Sequence, residues 1–425
     1  MPKTAKPPAK KPMPAAKSGA KADPKSSGKP GAPKKMPPAK GPKAPAPFML
    51  KPLSRSIPVA GESVYTARLA KLREAIGTYD ISHLLVTNPI DVGYLTGFLG
   101  GDSYLLVAKA GGKPTIISDF RYSEELEPTK AIATVFIRKR SMAEAVAELV
   151  SDPAVVRCGV QPEHMTLGER DALGAKIGPS RLLPTTALVS GLRAEKDEHE
   201  IALISRAIRI QELALVATLP TIKPGQSELE VAARLEMEMK TRGSSQPGFP
   251  SIVAAKANGS LPHYRPGQEK VAGNQALLID WGAIFAGYHG DMTRTFTLGK
   301  WPAKVREIYQ IVLDAHNMTA AALAPGKKTS EIDAIARNHI AKHGYGEFFG
   351  HGLGHGMGMN GHEEPRLTNM LAPTLLKPGN VVTIEPGIYL PGIGGVRIED
   401  DFVVTEKGAR NLCSLPKDLE WCTLG

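Results

Sequence analysis

Five short segments carry side chains able to do chemistry. They are Leu278-Ile279-Asp280-Trp281-Gly282, Gly290-Asp291-Met292-Thr293-Arg294-Thr295-Phe296, His351-Gly352-Leu353-Gly354-His355-Gly356-Met357-Gly358, Thr383-Ile384-Glu385-Pro386-Gly387 and Gly395-Val396-Arg397-Ile398-Glu399-Asp400-Asp401. Each sets a carboxylate or an imidazole in apolar or Gly-rich text. Asp280 follows an apolar run that reads as a buried strand, where an unpaired carboxylate is costly. Glu385 and Glu399 sit in similar surroundings. Several buried acids converging on one place repel one another unless protons or cations intervene. Divalent ions relieve that repulsion, and hard oxygen ligands with one imidazole suit Mn²⁺, Co²⁺ or Zn²⁺. Four acids and one His suffice to bridge two such ions. The period-two geometry of a strand would put Arg397 and Glu399 on one face. A ligand and a guanidinium suited to carboxylates would then share a cavity.

Taken singly, an Asp or Glu is more often a cap, a turn or a surface ion pair. Three His at 351, 355 and 362 exceed what packing requires, and Gly around His355 would let substrate and backbone approach closely. His263, in Leu261-Pro262-His263-Tyr264, reads as a loop residue. His83, His164, His199, His289, His316 and His343 read as ordinary surface or packing residues.

These groups need elements to hold them. Tyr65–Ile76 has helical spacing of apolar residues. Short apolar runs at 83–86, 104–107, 115–117 and 133–137 read as strands, with helical text between and after them, as at Ser141–Val150. This predicts an α/β domain over 55–188. Beyond Gly191, Arg193–Leu219 is helix-like, and Ser227 with Glu230 forms a capping box for the next helix. Strand-like runs at 276–279, 381–384 and 395–404 and helices near 303–323 and 330–343 follow. The segment 190–425 therefore reads as α+β with an antiparallel sheet.

The chain has 425 residues, 42% of them hydrophobic, enough for two or three domains. Of its 53 basic and 42 acidic residues, twelve Lys and Asp23 lie in residues 1–47, leaving 41 of each sign elsewhere. The net charge of +11 thus belongs to the tail. The Lys/Pro/Ala-rich stretch 1–52 reads as a disordered, solubilising tail able to touch anionic surfaces or nucleic acid. Residues 1–47 lack the Arg and aromatic residues that base stacking uses. No apolar run is long enough for a membrane helix, and the N-terminus has no apolar core of a secretory signal. Three widely spaced cysteines argue against a disulfide framework or a thiolate metal site and suit a reducing, cytoplasmic compartment.

The five segments together resemble the pita-bread metallopeptidases, in their prolidase and Xaa-Pro aminopeptidase branch, in the family's order and spacing over roughly residues 55–420. The resemblance implies a creatinase-like N-terminal α/β domain before a pita-bread catalytic domain. It implies two divalent ions, Mn²⁺ foremost, held by Asp280, Asp291, His355, Glu385 and Glu399, with Asp291 and Glu399 bridging. A metal-bridging water or hydroxide would attack the scissile carbonyl, and Glu385 would shuttle the proton. His263, His351 and His362 would line the substrate site. Arg397 would bind or orient substrate, and Thr293 and Thr383 would support the ligands. The implied substrate is a peptide with proline at its second position, or an Xaa-Pro dipeptide, cleaved by a homodimer. The alternatives are a same-fold aminopeptidase of other specificity and a non-catalytic peptide- or nucleic-acid-binding relative. The intact ligand set argues against the latter.

Overall fold

The computed structural model describes residues 50, 52–53, 56 and 60–425. The reading of 1–52 as a disordered tail, with its anionic contacts, lies outside the described residues apart from Leu50 and Pro52.

The first half alternates short strands with helices. In order come α1 (Glu62–Ile76), β1 (His83–Val86), α2 (Pro89–Thr96), β2 (Tyr104–Ala108), β3 (Thr115–Ser118), β4 (Thr134–Ile137), α3 (Met142–Val150), β5 (Cys158–Val160), α4 (Leu167–Ile177), β6 (Leu182–Pro184) and α5 (Leu188–Arg193). The strands form one mixed sheet in the order β4-β3-β2-β1-β5-β6. Leu84, Leu85 and Val86 are all fully buried, because β1 is central and covered on both faces. The helices start where local chemistry allows. Ser141 and Thr166 each close a reciprocal capping box with a Glu three residues on.

The second half opens with two long helices, α6 (Glu198–Thr218) and α7 (Glu228–Thr241). Asp197 caps the first, and the expected Ser227–Glu230 box caps the second. Strands β7 (Ile252–Ala255), β8 (Ala276–Trp281), β9 (Ile284–Phe285), β10 (Tyr288–His289) and β11 (Met292–Leu298) follow, then helices α8 (Ala303–Ala322) and α9 (Thr329–Lys342). The remaining strands are β12 (Gly354–Gly356), β13 (Glu363–Leu367), β14 (Val381–Ile384), β15 (Gly387–Leu390), β16 (Gly394–Arg397), β17 (Asp400–Thr405), β18 (Gly408–Asn411) and β19 (Thr423–Leu424). They make one sheet ordered β19-β11-β8-β7, a second ordered β13-β12-β14-β17-β18, and a β15-β16 hairpin. Pairing is antiparallel except between β11 and β19. This is the pita-bread architecture behind a creatinase-type N-terminal domain.

One expectation fails locally. Residues 395–404 are not one strand. The chain breaks at Ile398-Glu399, leaving β16 in the hairpin and β17 in the second sheet. Arg397 and Glu399 reach the same cavity because the chain switches sheets between them, not because a pleat aligns them.

One apolar core runs through both halves. It joins Leu72, Leu84 and Leu105 to Ile204, Trp281, Val312 and Val382 without interruption. Among the described residues, no helix is long and apolar enough to cross a membrane.

Candidate metal centre

The register of the two sheets explains why distant carboxylates meet. Antiparallel pairing of β8 with β11 sets Asp280 opposite Thr293, and Asp291 lies two residues before Thr293, on the same face. In the second sheet β14 pairs with β17. Glu385 sits just past the end of β14 and Glu399 just before the start of β17. His355 is the middle residue of β12, between β13 and β14.

The glycines around His355 permit this strand. A Cβ on Gly354 would collide with the Thr383 carbonyl, and one on Gly356 with the Glu364 carbonyl. Their main use is close approach of neighbouring strands rather than the substrate approach expected of them, although Gly352 and Gly354 also line the cavity.

All five expected ligands line one cavity of about 880 Å³, together with His263, His351, His362 and Arg397. One donor atom each from Asp291, His355 and Glu399 lies within 4.8 Å of the others. His355 Nε2 is 3.4 Å from Glu385 Oε1 and 3.9 Å from Asp291 Oδ2. Its Nδ1 lies 3.1 Å from the Gly356 carbonyl, which can only accept. The proton therefore sits on Nδ1, and the Nε2 lone pair faces the carboxylates. Burial holds this imidazole neutral, lowering its pKa to about 3.

The acids are strained in the opposite sense. Burial, then repulsion from Glu399 and Asp280, pushes Asp291 well above the usual carboxylate range. Burial, then Glu385 and Asp280, does the same to Glu399. Burial raises Glu385 to about 8, against the opposing pull of Arg397. Burial likewise raises Asp280. Asp280 Oδ1 is buried with no hydrogen-bond partner among the described residues. Crowded buried oxygens, one of them orphaned, beside an imidazole lone pair are the donor set that hard and borderline divalent cations accept. The residues fit such ions.

A hydrogen-bonded shell holds the ligands. Thr293 Oγ1 donates to Glu399 Oε2 at 2.6 Å. Thr383 Oγ1 accepts from the His355 amide at 3.1 Å. Asp401 Oδ2 accepts from the Asp291 amide at 3.0 Å. The buried Arg294 donates to the carbonyls of Thr293 and Glu399 and pairs with Asp400.

Arg397 lines the cavity, and its donors are engaged by the protein. Its Nη2 donates to Asp280 Oδ2 at 2.5 Å, its Nε to Thr293 Oγ1 at 3.0 Å and its Nη1 to Tyr389 Oη at 2.9 Å. The guanidinium is only 2% exposed and is spent on the protein. The Tyr389 hydroxyl, accepting from Arg397, lies 2.9 Å from His351 Nε2 and donates to it, while His351 Nδ1 donates to the Gly352 carbonyl. Burial keeps His351 neutral, its pKa lowered to about 4. His263 and His362 are exposed on the cavity wall, and the His362 ring lies 3.9 Å from that of His355.

Two residues of the site went unread in the sequence. Tyr389 lies in an apolar strand that reads as core. Arg366 lines the cavity, half-buried, and its side chain has no hydrogen-bond or ion-pair partner among the described residues. Its position four residues after His362 was the available signal.

Comparison with known proteins agrees with this fold. The model of metallopeptidase family M24 matches residues 202–406, and that of the creatinase/prolidase N-terminal domain matches residues 68–194. The chain is 38% identical to an uncharacterised peptidase, YqhT, of Bacillus subtilis over 83% of this chain and 99% of that one. It is 34% identical to the Xaa-Pro dipeptidase of Pyrococcus furiosus, with 83% and 99% covered. The solved structure of an Xaa-Pro dipeptidase from Bacillus anthracis superposes with a TM-score of 0.80 at 35% identity, covering 84% of this chain and 99% of that one.

Proposed function

The chain belongs to metallopeptidase family M24, and from that premise we propose that it hydrolyses the bond between any residue and a following proline, in dipeptides first. One observation carries this reading: Asp280, Asp291, His355, Glu385 and Glu399 converge on a single cavity that His263, His351 and His362 also line. The proline preference is drawn from the Xaa-Pro dipeptidases that the chain resembles in sequence and in structure.

The five ligands would hold two divalent ions, Mn²⁺ by preference. When bound, the ions supply Lewis acidity toward the scissile carbonyl and lower the pKa of a water enough to make it a nucleophile at neutral pH. The protein's own part is positioning and proton transfer. The nitrogen of the scissile bond leaves as an amine only when a proton is delivered to it. Glu385, on the cavity wall, takes that proton from the attacking water and passes it on from a carboxyl oxygen. His263 and His362 hold the substrate carbonyl and its neighbours. Arg397 orients Asp280 and Tyr389 rather than the substrate.

Arg366 supports a dipeptide substrate. A half-buried guanidinium without a partner, facing the cavity, suits a free C-terminal carboxylate. Hydrolysis of Ala-Pro and Ala-Pro-Ala, with Mn²⁺ and after chelation, tests the whole reading. Cleavage of neither with metal present would overturn it, and cleavage of the tripeptide alone would select an aminopeptidase. Arg366→Gln should raise KM for Ala-Pro about tenfold, the loss of one charge-assisted pair, and leave Ala-Pro-amide nearly unchanged.

We also propose a division into a tail (1–52), an N-terminal domain (55–188) and a catalytic domain (190–425). A homodimer in the cytoplasm completes the reading; three free cysteines support the reducing compartment. Sedimentation tests the dimer.

A further inference from the structure

His362 is followed at once by a carboxylate that never meets the cavity. Glu363 is buried, and its neighbours are charges from elsewhere in the chain. Lys196 Nζ donates to Glu363 Oε2 at 3.2 Å, and Arg193 Nη2 donates to Glu363 Oε1. The other terminal nitrogen of Arg193, Nη1, donates to Asp91 Oδ1 at 2.6 Å. Asp91 lies on α2, and its Oδ2 accepts from Gln161 Nε2 at 2.6 Å. Gln161 cannot turn over, because its Oε1 accepts the amides of Thr87 at 2.8 Å and Asn88 at 3.1 Å. The result is a buried line of partners, Gln161, Asp91, Arg193, Glu363, that starts beside the central strands of the first sheet and ends next to His362. Asp91, Gln161 and Arg193 are each only 2% exposed.

Glu363 also closes the turn that carries His362. The Asn360 amide donates to Glu363 Oε1 at 2.8 Å. Lys196 and then Arg193 hold its carboxyl below the usual glutamate range in spite of burial. The carboxylate is thus a fixed charge, and its cations decide where it sits. His362 lies in the bend that this hydrogen bond closes, just before β13, so fixing Glu363 fixes where the bend carries the imidazole.

We propose that Asp91 and Arg193 are positioning residues for His362, acting through Glu363, so that the N-terminal domain takes part in the reaction of its own subunit. The inference rests on the reading of His362 as a substrate contact. Substrate binding by other groups is untouched, whereas the placement of the carbonyl depends on the imidazole. Loss of a link therefore appears in kcat rather than in KM.

The test uses the full-length Mn²⁺ enzyme and Ala-Pro. Asp91→Asn sets an amide nitrogen against that of Gln161 and frees Arg193 to shift. It should lower kcat about tenfold, as misplacement by a fraction of an ångström does, with KM within about twofold and metal content retained, in a variant that melts lower but is fully folded at the assay temperature. The double variant Asp91→Asn/Gln161→Glu restores the hydrogen-bond pattern with the negative charge moved one link, and kcat should recover to within about threefold of the parent. In a His362→Ala background, Asp91→Asn should cost nothing further. Unchanged kcat in folded, metal-bound Asp91→Asn overturns the proposal, and so does the same loss with and without His362. Full activity of His362→Ala would instead overturn the role given to that histidine above. Should Asp91→Asn fail to fold, Arg193→Lys keeps the charge but cannot span both carboxylates. It must then show the same kcat loss and the same dependence on His362.

Discussion

At the scale of single residues, the metal ligands were legible because each sits in a local pattern of its own, such as an acid ending an apolar run or a His between glycines. Their partners were not. Tyr389 and Asp401 act through contacts with His351 and Asp291, which lie well away in sequence, and Arg366 is set apart only by where the fold places it. Arg397 was found by its neighbourhood, but its protein partners were not legible there. A guanidinium near acids suggests a ligand clamp, whereas the structure commits it to Asp280, Thr293 and Tyr389. The cluster makes a direct prediction. Asp291→Ala and His355→Ala each remove a donor from the group of three that lies within 4.8 Å. Each should reduce bound Mn²⁺ measured by atomic absorption and lower kcat/KM by at least about a hundredfold, since both metal holding and water activation suffer. Full activity of metal-free protein would refute the site.

At the scale of elements, periodicity located most strands and helices, and side-chain caps fixed several helix starts. It failed at 395–404, where strand-like text continues across a switch between sheets. Hydrophobic text reports burial, and burial does not stop at Ile398-Glu399 although the ladder does. The Gly-rich segment was visible as special, but its reason lay in strands that pair with it from elsewhere. Because a Cβ on Gly354 would meet the Thr383 carbonyl, Gly354→Ala forces β12 away from β14. We expect a loss of about 1–3 kcal/mol in urea denaturation, typical of overpacking, and weakened metal binding, because His355 is the next residue. An alanine variant as stable and as active as the parent would show that the strands have room to part.

At the scale of the whole molecule, the sequence announced two globular parts but could not announce how they join. The buried line from Gln161 to Glu363 and the shared apolar core involve residues hundreds of positions apart. Stability should also carry a signature of α8. His316 is fully buried beside Asp400, and burial lowers its pKa to about 4. An unfolded histidine titrates near 6.5, so as pH falls below that value the unfolded chain takes up a proton that the folded chain refuses until about 4. Stability is therefore present above 6.5 and is lost on acidification. From this group alone the loss between pH 7 and pH 5 is about 2 kcal/mol. His316→Gln should flatten the dependence of the urea midpoint over that interval, and an unchanged slope would count against the assignment.

The junction between the two parts has a consequence for proteases. Trypsin cuts after Lys and Arg, and Arg193 and Lys196 offer it two sites in the short connection between α5 and α6. Both are buried, each gripped by Glu363. A loop must loosen before a protease can thread it through its cleft, and here loosening breaks ion pairs on either side of a continuous core. Brief digestion of the native chain should therefore yield no fragment ending at Arg193 or Lys196 on a denaturing gel, although the sequence offers its clearest boundary at that connection.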